Sequence, residues 1–324
     1  MTTIKRIAVL TSGGDAPGMN TCIRAVARCA LYNGCDVIGI RDGYEGLLRG
    51  DMGPLDAREV GGIIQRGGTI LGTARSEEFR TEAGQLKAME ILKQHGVDAL
   101  VVIGGDGSMR GARALAARGL PVVGVPATID NDMWGTNMAI GVDTALNTIS
   151  DAIDKLRDTA SSHRRAFLIE TMGRNCGYLA VMAGVIGGAE VVLIPEAPVT
   201  IEEVAAKVED AYKRGKTHSI VIVSEGANIL TTELASALDK MDVGFSTRIT
   251  ILGHIQRGGR PTAFDRLLAS RMGVKAVDAL LAGQTDVMMG LRGREVEPVP
   301  LKDVITRQRE ANLDYYEMAK MLAF

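Results

Sequence analysis

The chain has 324 residues, 46% hydrophobic and only 4% aromatic, with 37 basic against 39 acidic side chains for a net charge of −2. That length and apolar content can bury a large core, organised as two domains or one large α/β unit. The near balance of charge argues against a nucleic-acid or anionic-membrane surface as the main partner, so any anion site must be local. Of the 37 basic residues 11 are lysines, leaving 26 arginines, the side chain that grips phosphate oxygens with two parallel bonds. Cys22, Cys29, Cys35 and Cys176 form no C-x-x-C pair and have no histidine near them, which argues against zinc and for a reducing compartment.

In chain order, the first expected strand is the apolar run at 7–10. It is too short for a signal-peptide core or a membrane span, and a soluble cytoplasmic protein is expected. The run leads through Thr11-Ser12-Gly13-Gly14-Asp15-Ala16-Pro17-Gly18-Met19-Asn20 into a helix that carries Arg24 and Arg28 on one face. This strand, glycine turn and helix start supports a nearby phosphate, yet it matches neither G-x-x-x-x-G-K-[ST] nor G-x-G-x-x-G. A dehydrogenase is disfavoured for the same reason.

Further strands are expected at 37–40, 99–103, 122–125, 166–170, 191–194, 220–224 and 249–252. Helical patterns at 22–31, 84–94, 142–156, 177–186, 201–213 and 231–241 separate most of them. Strand and helix alternating this often predict βαβ units with parallel sheets. No Pro/Ser-rich linker marks a boundary. A break is expected after 135–141, because a fresh series of strands begins at Ala166.

Two loops carry the chemistry. Gly104-Gly105-Asp106-Gly107-Ser108 lies between an expected strand and a helix beginning near Ser108, so that its backbone N–H groups can meet phosphate and its carboxylate a magnesium ion. After the next strand, Pro126-Ala127-Thr128-Ile129-Asp130-Asn131-Asp132 offers two carboxylates that could divide proton abstraction from metal or water positioning. Either loop alone also reads as a strand-ending turn; two at consecutive strand ends make the functional reading stronger. Basic groups then recur at strand ends, in Ser161-Ser162-His163-Arg164-Arg165 and Met172-Gly173-Arg174, and most densely from Arg248 to Gly253-His254-Ile255-Gln256-Arg257-Gly258-Gly259.

With these stretches in this order, the chain resembles the bacterial 6-phosphofructokinases along essentially its whole length. The resemblance implies an α/β fold of two Rossmann-like lobes with mainly parallel sheets, helices on both faces and the active site in the cleft between them. Residues 1–141 with about 256–306 would bind ATP, and 142–255 with about 307–324 would bind fructose 6-phosphate. It implies that Gly14, Arg75, Ser76, Gly105, Asp106, Gly107 and Ser108 hold ATP, with Asp106 serving Mg2+. Asp130 would be the base for the sugar's 1-hydroxyl, beside Thr128, with Arg75 and Arg174 offsetting charge on the transferring group. Arg165, Arg248, His254 and Arg257 would bind the 6-phosphate, and Met172, Gly173 and Glu225 the sugar. Because Arg165 and Arg248 reach a neighbour's site in this family, a homotetramer is implied. An effector site for ADP or phosphoenolpyruvate would comprise Arg24, Arg28, Arg157, Gly188, Glu190, Arg214 and Lys216.

Several positions depart from the family pattern. Ala57 stands where well-known allosteric members carry an arginine, with Arg58 one residue later, and Ser76 stands where an aromatic is familiar, leaving Tyr44 as a candidate to stack on adenine. Gly107 lacks the carboxylate typical of pyrophosphate users, and Ala127 lacks their lysine, so ATP is the expected donor. A pyrophosphate-dependent or different sugar-phosphate kinase is the near rival, and a catalytically silent nucleotide sensor a distant one.

Overall fold

The computed structural model describes residues 4–323. Its elements begin with β1 (Arg6–Ser12), α1 (Met19–Tyr32), β2 (Asp36–Ile40), α2 (Gly43–Arg49), β3 (Met52–Pro54), α3 (Glu82–Gln94), β4 (Ala99–Gly104), α4 (Asp106–Ala116) and β5 (Val122–Pro126). The chain continues through α5 (Val142–His163), β6 (Arg165–Thr171), α6 (Tyr178–Gly187), β7 (Val191–Leu193), α7 (Ile201–Lys213), β8 (Ser219–Ser224), α8 (Thr231–Met241) and β9 (Ser246–Ile251). It ends with α9 (Ala263–Leu281), β10 (Val287–Arg292), β11 (Glu295–Pro300), α10 (Leu301–Thr306) and α11 (Leu313–Leu322). Two compact units result, the first from the chain up to Ile129 with Met133–Thr144 and Arg257–Gln308, the second from Asp130–Asp132, Ala145–Gln256 and the chain from Arg309 on.

The first unit holds a seven-stranded sheet in the order β11-β10-β5-β4-β1-β2-β3. Its central strands are parallel, with Leu10 level with Val102 on one side and Ile40 on the other. All six residues of β4 are buried, as are Ile7, Ala8, Val9 and Leu10 of β1. Strands covered on both faces need apolar side chains at every position, which is why these runs do not alternate. Only β3 and β11, the outer strands, pair antiparallel. Since β2 lies on one side of β1 and β4 on the other, the winding reverses at β1, and the carboxyl ends of β1 and β4 flank the point where open α/β sheets bind ligands.

The second unit has four parallel strands in the order β7-β8-β6-β9. Its core joins Ala166, Leu168, Val191, Leu193, Val221 and Val223 of the sheet to Val204 and Val208 of α7 and Leu234 and Leu238 of α8. Helix α7 starts from a complete capping box, in which Glu203 N–H donates to Thr200 Oγ1 (3.2 Å) and Thr200 N–H to Glu203 Oε2 (2.8 Å).

Several boundaries differ from the sequence-based expectation: α1 starts at Met19 rather than 22, α4 at Asp106 rather than near Ser108 and β9 at Ser246 rather than 249, and α5 runs on to His163. The 19-residue α9 was not expected at all. Its inner face packs on α1 so closely that a Cβ at Gly273 would lie 2.7 Å from Ala25 Cβ and 3.0 Å from Cys22 O. Its other face leaves Phe264, Leu267, Val274 and Leu281 exposed, so apolar residues go nearly all the way round and the helical period is blurred.

Candidate functional site

The expected nucleotide residues gather at the switch point of the first sheet. Gly13 and Gly14 follow β1, Gly105 to Ser108 follow β4, and Thr128 follows β5. Ser108 ties the first two loops together, its hydroxyl donating to Ser12 O at 2.9 Å. Gly104 is required for this approach, since a Cβ there would stand 2.3 Å from Ser12 O. Helix α4 then begins at Gly105 with no side-chain cap and with Asp106 in its first turn. The N–H groups of an uncapped first turn are open to an anion.

Arg75 and Ser76 belong to a long irregular segment held to the end of β1. Thr11 Oγ1 donates to Gly72 O (2.8 Å), Thr73 Oγ1 to Gly13 O (2.7 Å), and Asn20 Oδ1 accepts from Ile70 N–H (2.7 Å) while its amide donates to Arg66 O and Gly67 O. Thr11 and Asn20 are buried polar groups that make this stitching, a role their place in the glycine-rich motif did not disclose. Arg75 is left exposed on the segment. Arg257, expected on the sugar phosphate, extends to the Gly14 turn: its Nη1 donates to Asp15 O at 3.4 Å, and a Cβ on Gly14 would collide with it at 2.0 Å.

Glycine at 107 is not demanded by the fold. It has no positive φ, and a Cβ there would meet nothing within 4 Å. Glycine disfavours a helix, so an open space beside an uncapped helix start fits a bulky anionic ligand such as a nucleotide. For magnesium, no group of three or more His, Cys, Asp or Glu among the described residues converges on one point. Asp106, partly exposed and paired with Arg110 at 2.9 Å, suits a cation that keeps its waters and takes phosphate oxygens as further ligands.

In the second unit the carboxyl ends of β6, β8 and β9 bring Met172, Gly173, Arg174, Glu225 and His254 to one edge. Gln256 Oε1 accepts from Met172 N–H (3.2 Å), Ser224 Oγ donates to Gly173 O (2.5 Å), and Glu225 N–H donates to Thr171 O (2.9 Å). Gly173 has φ +125°, with a would-be Cβ 2.5 Å from Cys176 O, so only glycine serves there. Arg165 does not join this edge. It opens β6 opposite Ser246, seven residues before Met172, which at about 3.3 Å per residue is about 23 Å away. Arg248 lies midway along β9, opposite Phe167, and is exposed.

Of the expected effector residues, Arg157, Gly188, Glu190 and Lys216 meet in the second unit. Arg157 donates to the carbonyls of Gly187 and Gly188, and Lys216 Nζ pairs with Glu190 Oε1 at 3.1 Å and donates to Ala323 O at 3.1 Å. His218, absent from the sequence-based set, completes the group 3.4 Å from Arg157. Burial and the charges of Arg157 and Lys216 hold its pKa below the usual histidine value, against the pull of Glu190. Arg214 is paired instead with Asp210 on its own helix, at 2.8 Å. On α1, Arg24 is partly buried beside the exposed Arg28, and burial followed by that like charge lowers its pKa.

A family model described as phosphofructokinase matches residues 6–280. The chain belongs to the phosphofructokinase family. An ATP-dependent 6-phosphofructokinase of Natranaerobius thermophilus is 53% identical over 320 residues, covering 99% of this chain and 100% of that one. One of Clostridioides difficile is 50% identical over the same shares. Among solved structures, phosphofructokinase from Saccharomyces cerevisiae superposes with a TM-score of 0.87 at 40% identity, over 93% of this chain but only 45% of the yeast chain. A pyrophosphate-dependent phosphofructokinase from Marinobacter aquaeolei shares the fold, with a TM-score of 0.88 at 22% identity over 96% of this chain and 86% of that one.

Within this family frame, the structure corrects the expectation for Tyr44. Its ring is buried, stacked on Phe79 at 4.0 Å, and its hydroxyl donates to Ser108 O at 2.7 Å. Tyr44 therefore braces the turn at Ser108 and, buried against Phe79, is not free to stack on adenine. Ala127 is also fully buried, donating its N–H to Gly104 O at 2.9 Å.

Proposed function

We propose that this chain transfers the γ-phosphoryl group of ATP to the 1-hydroxyl of fructose 6-phosphate, giving fructose 1,6-bisphosphate and ADP. The observation that carries this is the set of glycine and aspartate loops on the adjacent strands β1, β4 and β5, ending in Thr128 and Asp130. The hydroxyl proton passes to the Asp130 carboxylate as the sugar oxygen bonds to the γ-phosphorus. The bond from that phosphorus to the β,γ-bridging oxygen breaks, and ADP leaves with the electron pair. Open N–H groups at the start of α4 and the cations of Arg75 and Arg174 offset the charge on the group in transit. When bound, Mg2+ held through Asp106 would neutralise phosphate charge.

By the same proposal Met172, Gly173, Glu225, His254 and Arg257 are the residues that bind the sugar phosphate. The distance of Arg165 from that edge, and the unpaired outer edge of β9 with Ile249, Ile251 and Arg248 exposed, support a homotetramer in which these arginines serve a neighbour's site. ADP and phosphoenolpyruvate would act at the Arg157, Gly188, Glu190 and Lys216 group with Arg24, Arg28 and Arg214. Free cysteines support a reducing, cytoplasmic location, and no described helix is long and apolar enough to cross a membrane.

Initial rates with fructose 6-phosphate, magnesium and either ATP or pyrophosphate test the reading. Turnover is expected with ATP alone, and Asp130→Asn should lower it by about 10²–10⁴-fold with both KM values nearly kept. Turnover with pyrophosphate alone would overturn the donor assignment, and full activity in the variant would remove Asp130 as base.

A further inference from the structure

The segment carrying the proposed base contains a fully buried polar residue whose side chain other elements must satisfy. Asn131, between Asp130 and Asp132, has φ +52°, a left-handed conformation that asparagine adopts more readily than other side chains, and because it is fully buried its amide must take hydrogen-bond partners from its surroundings. Those surroundings come from two other parts of the second unit. The Asn131 side chain is hydrogen-bonded to the hydroxyl of Tyr178, which opens α6 and is itself buried. Arg309, in the connection between α10 and α11, donates its backbone N–H to Asp132 O at 3.2 Å. Its guanidinium lies over the Tyr178 ring, with Cζ 5.5 Å from the centroid.

Glu196 fixes the two supports to each other. Its carboxylate accepts from Gly177 N–H (3.0 and 3.1 Å) at the start of α6 and from Ala311 N–H (2.9 Å), two residues beyond Arg309. The Arg309 backbone thus grips the loop on its far side, while the guanidinium presses on the tyrosine that holds its middle. A cation over an aromatic face at this distance is attractive and directional.

We propose that the Arg309 side chain, acting through Tyr178 on a segment its backbone already ties at Asp132, is a positioning residue for the catalytic loop. The inference rests on the reading of Asp130 as the base. Arg309 lies more than 170 residues from that loop in sequence and stands in no motif, so only the fold brings them together.

The test compares Arg309→Ala, Arg309→Lys and the near-isosteric Tyr178→Phe in the full-length enzyme. A small misplacement of a reacting group costs rate rather than affinity, so Arg309→Ala and Tyr178→Phe should each lower kcat by about 10–100-fold while both KM values stay within about threefold. Arg309→Lys keeps a cation over the ring and should recover most of kcat. Amide hydrogen exchange of the peptide 127–134 should quicken in the two impaired variants and return towards wild type in Arg309→Lys.

A kcat unchanged in both impaired variants overturns the proposal. So does a loss confined to KM for fructose 6-phosphate, which would make Arg309 a substrate ligand, or a lysine variant as impaired as alanine. If the wild-type chain transfers nothing from ATP, the functional reading fails first. The exchange measurement then decides the positioning role alone, and unchanged exchange in both variants ends it.

Discussion

Helices α4 and α7 begin in opposite ways: side chains close the start of α7, and none closes that of α4. At α7 the side chains of Thr200 and Glu203 satisfy the first backbone donors reciprocally. At α4 the corresponding place is Gly105, with no side-chain cap, then Asp106 and a glycine whose absent side chain nothing in the fold replaces. Thr81, Thr262 and Asn312 likewise cap α3, α9 and α11, whereas α1, α2, α6, α8 and α10 share with α4 the lack of a side-chain cap, so it is the place of α4 in the sheet that sets it apart. An N-terminus without a cap is costly unless water or a ligand completes it. Its position at the switch point of the seven-stranded sheet makes a phosphate the fitting partner.

The sharpest way to break this comparison is to put charge where α4 is open. Gly107→Asp places a second carboxylate next to Asp106, and repulsion between unit charges at 4 Å amounts to about 4 kcal/mol at an intermediate dielectric. With a nucleotide phosphate in that space, kcat/KM for ATP should fall by about a hundred- to a thousandfold. The melting temperature should hardly move, because beyond its chain neighbours and its own helix backbone no atom lies within 4 Å of the new Cβ. If ATP use survives, the space beside Gly107 is not where the nucleotide lies.

The complementary change is at α7. Thr200→Ala removes a capping bond on the second unit and should cost about 1 kcal/mol of stability in denaturant unfolding. Steady-state rates measured well below the transition should stay within about twofold, since surface caps act on folding alone. A marked loss of kcat would mean that α7 is tied to the chemistry, and the contrast with α4 would collapse.

How much of this was legible in the sequence follows from the range of the interactions. The runs at β1, β4 and β5 announced themselves because buried parallel strands require uninterrupted apolar residues, and the glycine and aspartate turns followed directly after them. Helix α9 was hidden by apolar residues on its outer face, and β10 by its methionines, which carry little strand preference. Tyr44 read as a free aromatic because its stacking partner, Phe79, lies 35 residues on and its hydrogen-bond acceptor 64. Arg309 was invisible for the same reason: its partners, Asp132 and Tyr178, are distant in sequence, and no local pattern marks them.

The smallest expected effect discriminates best, because it has opposite signs on two observables. If Gly107 were a structural glycine, replacing it by alanine would destabilise the protein and lower activity together. Here the backbone has ordinary helical freedom and open space lies around the would-be Cβ. Alanine is the better helix former by up to about 1 kcal/mol, less in a first turn, so Gly107→Ala should raise the unfolding midpoint slightly. The same methyl group would occupy part of the space that a phosphate needs against the N–H groups of α4. KM for ATP should rise several-fold while KM for fructose 6-phosphate stays put. A variant that is both more stable and weaker for ATP identifies Gly107 as a residue kept for its ligand at the expense of its helix. Unchanged ATP kinetics would leave α4 an ordinary helix with a poor cap, and would move the search for the triphosphate to the Gly14 turn, where the Arg257 guanidinium comes close.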